Sequence, residues 1–380
     1  MKKIYDLVVI GAGLSSLMFL YQYLKKNSGQ SILLLEQKDG FKQDQTFCVW
    51  EGPGLPDITN EFKLKPKKSW GKIILNSCNY EIKRDIEPYK YVCFDGKETL
   101  ESLYNECKIK ITAKKNELVE QTNYKNDIHI ITTNNATYHG KCIVDSRNNI
   151  KTHEIKSPLV KQAFVGDEIE LTKNLFSPDE VTLMSFKEKN NAIEFTYLLP
   201  FSKNRALIET TVFSSSPNLK EIQDSHDVLL KKYEPYTKIR QEKATIPMAI
   251  IMPDEEKAVL RIGTGGGMIR ASSGYSMRRI ANWALALNEG NINANNVSSY
   301  KYQFSPLLNW LDKNFLNVIL RYPNKGPYLF MTLFKKANIS SLVKFLSDKQ
   351  SMADLINILL SMPKKLMCKG LFKEKNDVKN

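Results

Sequence analysis

The sequence predicts an α/β fold in three parts: an N-terminal βαβ unit, a mostly antiparallel sheet and a helical C-terminal region. Three observations carry this. Gly11-Ala12-Gly13 separates a β-type run from a helical one at the N-terminus, alternating β segments dominate from Ile128 to Val212, and apolar residues recur at three- and four-residue steps from Phe304 to Leu366.

Tyr5–Ile10 reads as a strand, the glycines as a tight turn, and Leu14, Leu17, Met18, Leu20, Tyr21 and Leu24 as one helical face. A second apolar run, Ser31–Leu35, ends at Glu36, twenty residues after Ser16. Strand, glycine turn, helix, strand and acid together make a Rossmann-type dinucleotide-binding unit. Gly11 permits the turn, and Gly13 lets the backbone approach a pyrophosphate whose charge is met by the helix N-terminus. Glu36 offers an acceptor to an adenosine ribose and disfavours a 2′-phosphate; Ser16 stands in place of the third glycine, implying slightly looser packing of helix on strand. The position at the N-terminus favours FAD over NAD. The uncharged stretch Leu7–Leu24 behind Met1-Lys2-Lys3 imitates a signal peptide or membrane anchor, but the glycines break any continuous apolar helix there.

Farther along, Gly52, Pro53, Gly54 and Pro56 punctuate a loop, and the Lys-rich stretch Lys63–Lys72 reads as solvated. A helix is predicted around Lys97–Glu106, then strands at Ile128–Ile131, Ile143–Asp145, Phe164–Leu171, Val181–Phe186, Ala192–Leu198 and Arg205–Phe213. Ala258–Ile262 runs into Gly263–Gly267 and a helix over Tyr275–Asn288, a second strand, glycine turn and helix. Asn288–Asn296 reads as a linker, and no apolar run approaches the length that spans a bilayer.

With 380 residues the chain is long enough for two or three domains enclosing a cavity. Its 55 Lys+Arg against 41 Asp+Glu give a net charge of +14. No Arg-rich run or nucleic-acid motif accompanies that charge, which leaves an anionic membrane surface or plain solubility as its purpose. Six cysteines without a CxxC pair and four scattered histidines make neither a disulfide framework nor a metal cage, so a reduced, cytosolic setting fits and no metal is expected.

Several blocks then resemble one family, the bacterial lycopene β-cyclases. They are Gly11–Leu14, Thr46-Phe47-Cys48-Val49-Trp50, Val144–Arg147, Gln162–Gly166, Thr182–Met184, Tyr197-Leu198-Leu199-Pro200 with Ala206-Leu207-Ile208-Glu209-Thr210, Ser273-Gly274-Tyr275-Ser276, and Leu311-Asp312, Phe315-Leu316 and Phe345–Asp348 in the tail. The sequence departs from the family's pattern at Phe47, where Trp is usual, and at Ser185, where Asp is usual; Thr264 stands where the related hydroxylases carry the Asp that holds a flavin ribityl chain. The last departure argues against a hydroxylase.

The resemblance implies a flavoprotein with the fold of geranylgeranyl reductases and aromatic hydroxylases. The FAD domain would occupy 1–155 and 245–295, a substrate sheet 156–244 and a helical region 296–380. It implies FAD, active when reduced, with NAD(P)H as reductant. It also implies cyclisation of lycopene and related ψ-ended carotenoids to β-rings without net redox change, by a cytoplasmic protein associated peripherally with the inner membrane. Gly11, Gly13, Leu14, Glu36, Gly263, Gly274, Tyr275 and Ser276 are the expected cofactor contacts, the helix opened by Ser273–Ser276 favouring an anionic flavin, and Arg270 is a further candidate. Glu209, on an otherwise apolar strand, is the expected proton donor, because an apolar site raises a carboxyl pKa. Phe47, Trp50, Phe164 and Tyr197 would turn aromatic faces to a carbocation in the substrate tunnel, worth on the order of 1–2 kcal/mol each when desolvated. His129, His139, His153 and His226 show no partner pattern and read as structural or surface residues. A prenyl reductase or hydroxylase of the same fold, or a non-catalytic prenyl-lipid carrier, are the competing readings. Oligomeric state leaves no mark in the sequence.

Overall fold

In the computed structural model, which describes residues 3–371 apart from 28, 43 and 79, the apolar run Ile4–Ile10 is the centre of the first sheet. It lies between Ile32–Leu35 and Thr137–Asp145 and parallel to both. Thr112–Lys114 and Val259–Arg261 extend the parallel part, and the hairpin of Val119–Lys125 and Ile128–Thr133 adds an antiparallel edge. A strand buried on both faces has no polar side to show, and Leu7, Val8 and Val9 are wholly buried. Helix Leu14–Lys26 makes the crossover, buried from Leu14 to Leu24. It packs against helices Gly96–Cys107 and Met277–Ala286, with Phe19 stacked 6.0 Å from Trp283.

The second sheet runs, in spatial order, Tyr236–Met248, Val160–Leu171, Arg205–Ser214, Ile193–Pro200, Glu180–Lys187, Lys72–Ser77 and Tyr80–Asp85. Its pairs are antiparallel except Glu180–Lys187 with Lys72–Ser77. A small third sheet joins Thr46–Glu51, Lys90–Asp95 and Lys68–Trp70. The sheet expected within 156–244 therefore takes two strands from 72–85, and its edge strand continues to Met248.

The Lys63–Lys72 stretch is not a solvated loop. Leu64 and Trp70 are buried, and Lys67 turns its ammonium inward to Glu168 Oε2 at 2.8 Å. Lysine stems cover apolar surface while their heads seek water or an anion, so a Lys-rich composition conceals the strand beneath it. The edge strand Tyr236–Met248 was hidden likewise, by Lys238, Arg240, Glu242 and Lys243.

The C-terminal region is helical as expected: Pro306–Arg321, Gly326–Lys336, Ile339–Leu346, Met352–Ser361 and Lys364–Leu371. Its apolar faces close over the second sheet, with Phe330 5.9 Å from Phe186 and 5.6 Å from Phe315. Arg270 ties it to the nucleotide half, donating to Asp312 at 2.8 and 3.1 Å and to Asp348 and lying over the Phe345 ring. Among the described residues no helix is long and apolar enough to cross a membrane.

Candidate functional site

The second sheet and the C-terminal helices enclose a cavity of about 870 Å³. Phe164, Phe195, Tyr197 and Phe213 form its sheet wall, and Phe315, Phe330 and Phe334 its helical wall. Its lining extends from Asp44–Cys48 and Ser272–Met277, on the nucleotide side, to Trp310, Leu359 and Leu371, which are about half exposed. The cavity thus joins the first sheet's end of the molecule to an open mouth among the last helices.

Of the aromatic candidates, Phe47, Phe164 and Tyr197 line this cavity and Trp50 does not. Trp50 stands in register with Tyr91, its ring 4.7 Å away, so Tyr91 occupies the place expected for it. The Tyr91 hydroxyl lies 2.8 Å from those of Tyr197 and Tyr275. Burial pushes all three phenols above their usual range. Nothing local in Lys90–Asp95 distinguished Tyr91 from core.

Glu209 sits at the centre of its strand, opposite Tyr197 on one side and Gly166 on the other. It is 7% exposed and accepts a hydrogen bond from Thr211. A Cβ at Gly166 would come within 3.2 Å of Glu209 Cβ, so the glycine makes the room that the carboxylate side chain fills. Burial first, and then the charge of nearby Glu242, push Glu209 up to about 8, against the pull of Thr211. Glu242 also faces Gly166, from the far side, and lines the same cavity. It accepts from Arg240 Nη1 at 2.6 Å and Thr46 Oγ1 at 2.8 Å. The sequence reading missed Glu242, whose charged neighbours made it look solvent-facing.

The N-terminal turn has the shape a dinucleotide needs. Gly11 has φ +88°, and a Cβ there would strike Ser146 Oγ at 2.5 Å. Gly13 caps the helix that Leu14 begins, has nothing within 4 Å of its Cβ position, and brings no side-chain cap. The first-turn N–H groups are thus left to a ligand or solvent. Glu36 accepts from Ala12 N at 2.6 Å and Lys38 N at 2.9 Å, which aims its carboxylate at the turn. Ser16 is fully buried, and its hydroxyl has no hydrogen-bond partner.

The second glycine turn differs in detail from expectation. Gly263 makes its close approach to Ser15, whose Oγ a Cβ would meet at 2.7 Å; it braces the first helix. Gly274, Tyr275 and Ser276 line the cavity, and Ser276 begins helix Met277–Ala286 without a side-chain cap. Beside them the buried Ser273 Oγ and Gln162 Oε1 are without partners. Arg270, a further cofactor candidate, turns its guanidinium instead to Asp312, Asp348 and the Phe345 carbonyl. Its sequence neighbourhood could not reveal partners more than forty residues away.

The histidines are mostly packed or paired. His226 is buried against Thr210 Oγ1 at 3.1 Å. His153 meets Asp254 at 2.8 Å and, with Glu154, makes an acidic cluster whose carboxylates already hold Lys151 and Arg261.

A family model described as lycopene cyclase protein matches residues 6–371. The chain is 24% identical over 301 residues to a chloroplastic neoxanthin synthase of Solanum tuberosum, covering 72% of this chain and 58% of that protein. It is 28% identical over 125 residues to a lycopene beta-cyclase of Paracoccus sp., covering 30% of this chain and 32% of that one. The chain thus spans under two thirds of the length of these relatives. Among solved structures, a geranylgeranyl bacteriochlorophyll reductase-like protein of Thermoplasma acidophilum superimposes with a TM-score of 0.65 at 12% identity, covering 97% of this chain and 99% of that one. Its fold is the flavoprotein fold expected here, and the match across nearly the whole sequence places this chain in the lycopene cyclase family.

Proposed function

We propose that this protein is a lycopene β-cyclase that isomerises the ψ-ends of a carotenoid to β-rings by acid–base chemistry. The observation that carries the reading is Glu209: a carboxyl that keeps its proton to about 8, inside an aromatic-walled cavity. An isomerisation through a tertiary cation needs a proton delivered without water nearby and a charge to meet the cation that forms. Glu209 supplies the proton, and its carboxylate then faces the cation. The rings of Phe164 and Tyr197, and of Phe47 in the same lining, offer their negative faces to that charge. Apolar walls exclude the water that would trap it as an alcohol.

Gly11, Gly13 and the first turn of helix Leu14–Lys26 fit the pyrophosphate of FAD, and Glu36 fits its ribose. Ser273 and Gln162 line the cavity, and their Oγ and Oε1, buried and without a partner, fit polar atoms of its ring system. Reduced FAD would supply an electron-rich anionic ring beside the cation, NAD(P)H serving only to reduce it.

The substrate comes from a bilayer. Met352, Ile356, Leu359 and Leu360 are exposed on one face of helix Met352–Ser361, beside exposed Trp310 and Leu371 and the cations Lys364 and Lys365. An apolar face rimmed by lysines suits the headgroup region of an anionic membrane. Of the other tail lysines, Lys335 covers the Tyr80 ring.

The test is expression in lycopene-accumulating bacteria, with the pigments identified by chromatography. β-Carotene, with γ-carotene before it, is the expected result. Unchanged lycopene from a flavin-loaded protein, or a reduced polyene with one NAD(P)H consumed per product, overturns the reading.

A further inference from the structure

We infer that Glu242 is a second catalytic residue of this cavity: the base that removes the proton ending the cyclisation. This rests on the cyclase reading above. Residues opposed in an antiparallel pair point to the same face, and Gly166 opposes Glu209 on one neighbouring strand and Glu242 on the other. The two carboxyls therefore flank a position without a side chain. A Cβ at that position would stand 3.2 Å from Glu209 Cβ and 3.3 Å from its Cγ, so the Glu209 side chain lies over the glycine, in the space between the two acids. Strands about 4.8 Å apart put the two backbones only about 10 Å from each other, a span that two glutamate side chains close.

The two acids are held differently. Glu242 is 4% exposed, and Arg240 and Thr46 both donate to its Oε2, so Oε1 takes neither bond. Glu209 is given a hydroxyl, Thr211, and no cation in its ion pairs or hydrogen bonds among the described residues. Burial raises both acids, but Arg240 and Thr46 pull against it at Glu242 whereas only the Thr211 hydroxyl does so at Glu209, so the proton of the pair belongs to Glu209 and the charge to Glu242, the division an acid and a base require. Arg240 is itself anchored by Glu168 at 2.7 Å, which Lys67 and Arg205 also hold.

The steps balance without an oxidant. Glu209 gives its proton to the terminal double bond, and the internal double bond supplies the electron pair of the new carbon–carbon bond. The tertiary cation then loses a proton from the adjacent ring carbon to Glu242 Oε1, the C–H pair becoming the ring double bond. The proton passes from Glu242 back to Glu209 across the glycine gap, and the site is restored.

The test uses the flavin-loaded enzyme with Glu242→Gln, assayed in D2O with lycopene in liposomes. The glutamine keeps the shape and an acceptor for Arg240, which retains Glu168. With its base gone, the cation must lose its proton from another carbon or return it to Glu209. The expected result is cyclisation slowed at least about 10²-fold with either ring double bonds at positions other than the β one, or recovered lycopene carrying solvent deuterium at its ends. Glu209→Gln, lacking the acid, should give neither. A Glu242→Gln enzyme whose rings are all of the β type, or which is inactive and leaves lycopene free of deuterium, overturns the assignment. A wild-type enzyme that forms no ring at all overturns the cyclase reading instead.

Discussion

A carboxyl keeps its proton near neutral pH only where its anion is poorly solvated, and Glu209 is in such a place. Glu209→Gln retains the shape and cannot donate a proton; flavin should remain bound while cyclisation falls by roughly 10²–10³, the loss typical of a preorganised charge. The same residue has a stability consequence of definite sign. Between the ordinary carboxylate range and about 8 the folded protein holds a proton that the unfolded chain has given up, so stability falls as pH rises through that window. Glu209→Gln removes the penalty. Its Tm should exceed that of the wild type by a margin growing from pH 5 to pH 8 and level above that, as read by calorimetry; a constant margin would show that Glu209 is ionised throughout. Gly166→Ala puts a methyl 3.2 Å from Glu209 Cβ and should cost at least about 10-fold in rate, since displacement of a reacting group by about 1 Å can cost 10²-fold. Glu209 was legible in the sequence because an isolated acid among Ala206, Leu207 and Ile208 breaks an apolar pattern. Glu242 was not, since Arg240 and Lys243 beside it look like any solvated edge.

Elements with one apolar face were legible as well, and those whose burial depends on distant partners were not. The crossover helix, the helical tail and the strands between Ile128 and Phe213 follow from periodicity alone. Lys68–Trp70 and Tyr236–Met248 did not, because Lys67 just before the first and Lys238 and Arg240 within the second point at buried Asp167 and Glu168 of Val160–Leu171. Arg270 is the strongest such case: its guanidinium, 2% exposed, joins the segment between the second glycine turn and helix Met277–Ala286 to helix Pro306–Arg321 and to Asp348. Truncating one partner of a buried ion pair costs about 3–5 kcal/mol, because the other charge stays buried. Arg270→Met should lower stability by that order in urea denaturation and speed amide exchange in Pro306–Arg321 more than in Ile4–Ile10. Asp312→Asn in addition should recover part of the loss, since it removes the stranded charge.

For the whole molecule, the tail and the cavity make one device. Flotation with anionic liposomes at low salt, weakening as salt rises, is the expected behaviour, each Lys near the surface contributing about 1 kcal/mol. Trp310→Glu with Leu359→Glu should abolish flotation, while Lys364→Glu with Lys365→Glu should abolish only its preference for anionic lipid. Equal binding to neutral and anionic vesicles by the wild type would remove the lysines from the account. The Rossmann half could be read from Tyr5–Glu36 because its parts are contiguous; the cavity could not, being assembled from strands and helices as far apart in the chain as Thr46–Glu51 and Lys364–Leu371. That there is one Glu209 carries a further consequence. On the cyclase reading, the two ends of an extended forty-carbon polyene lie far apart, so only one of them at a time can reach the acid in this cavity. Both ends cannot react in one visit. The half-finished molecule must back out, reverse and return, which makes turnover distributive: at limiting enzyme the one-ringed product should rise first and compete with fresh polyene for the same opening.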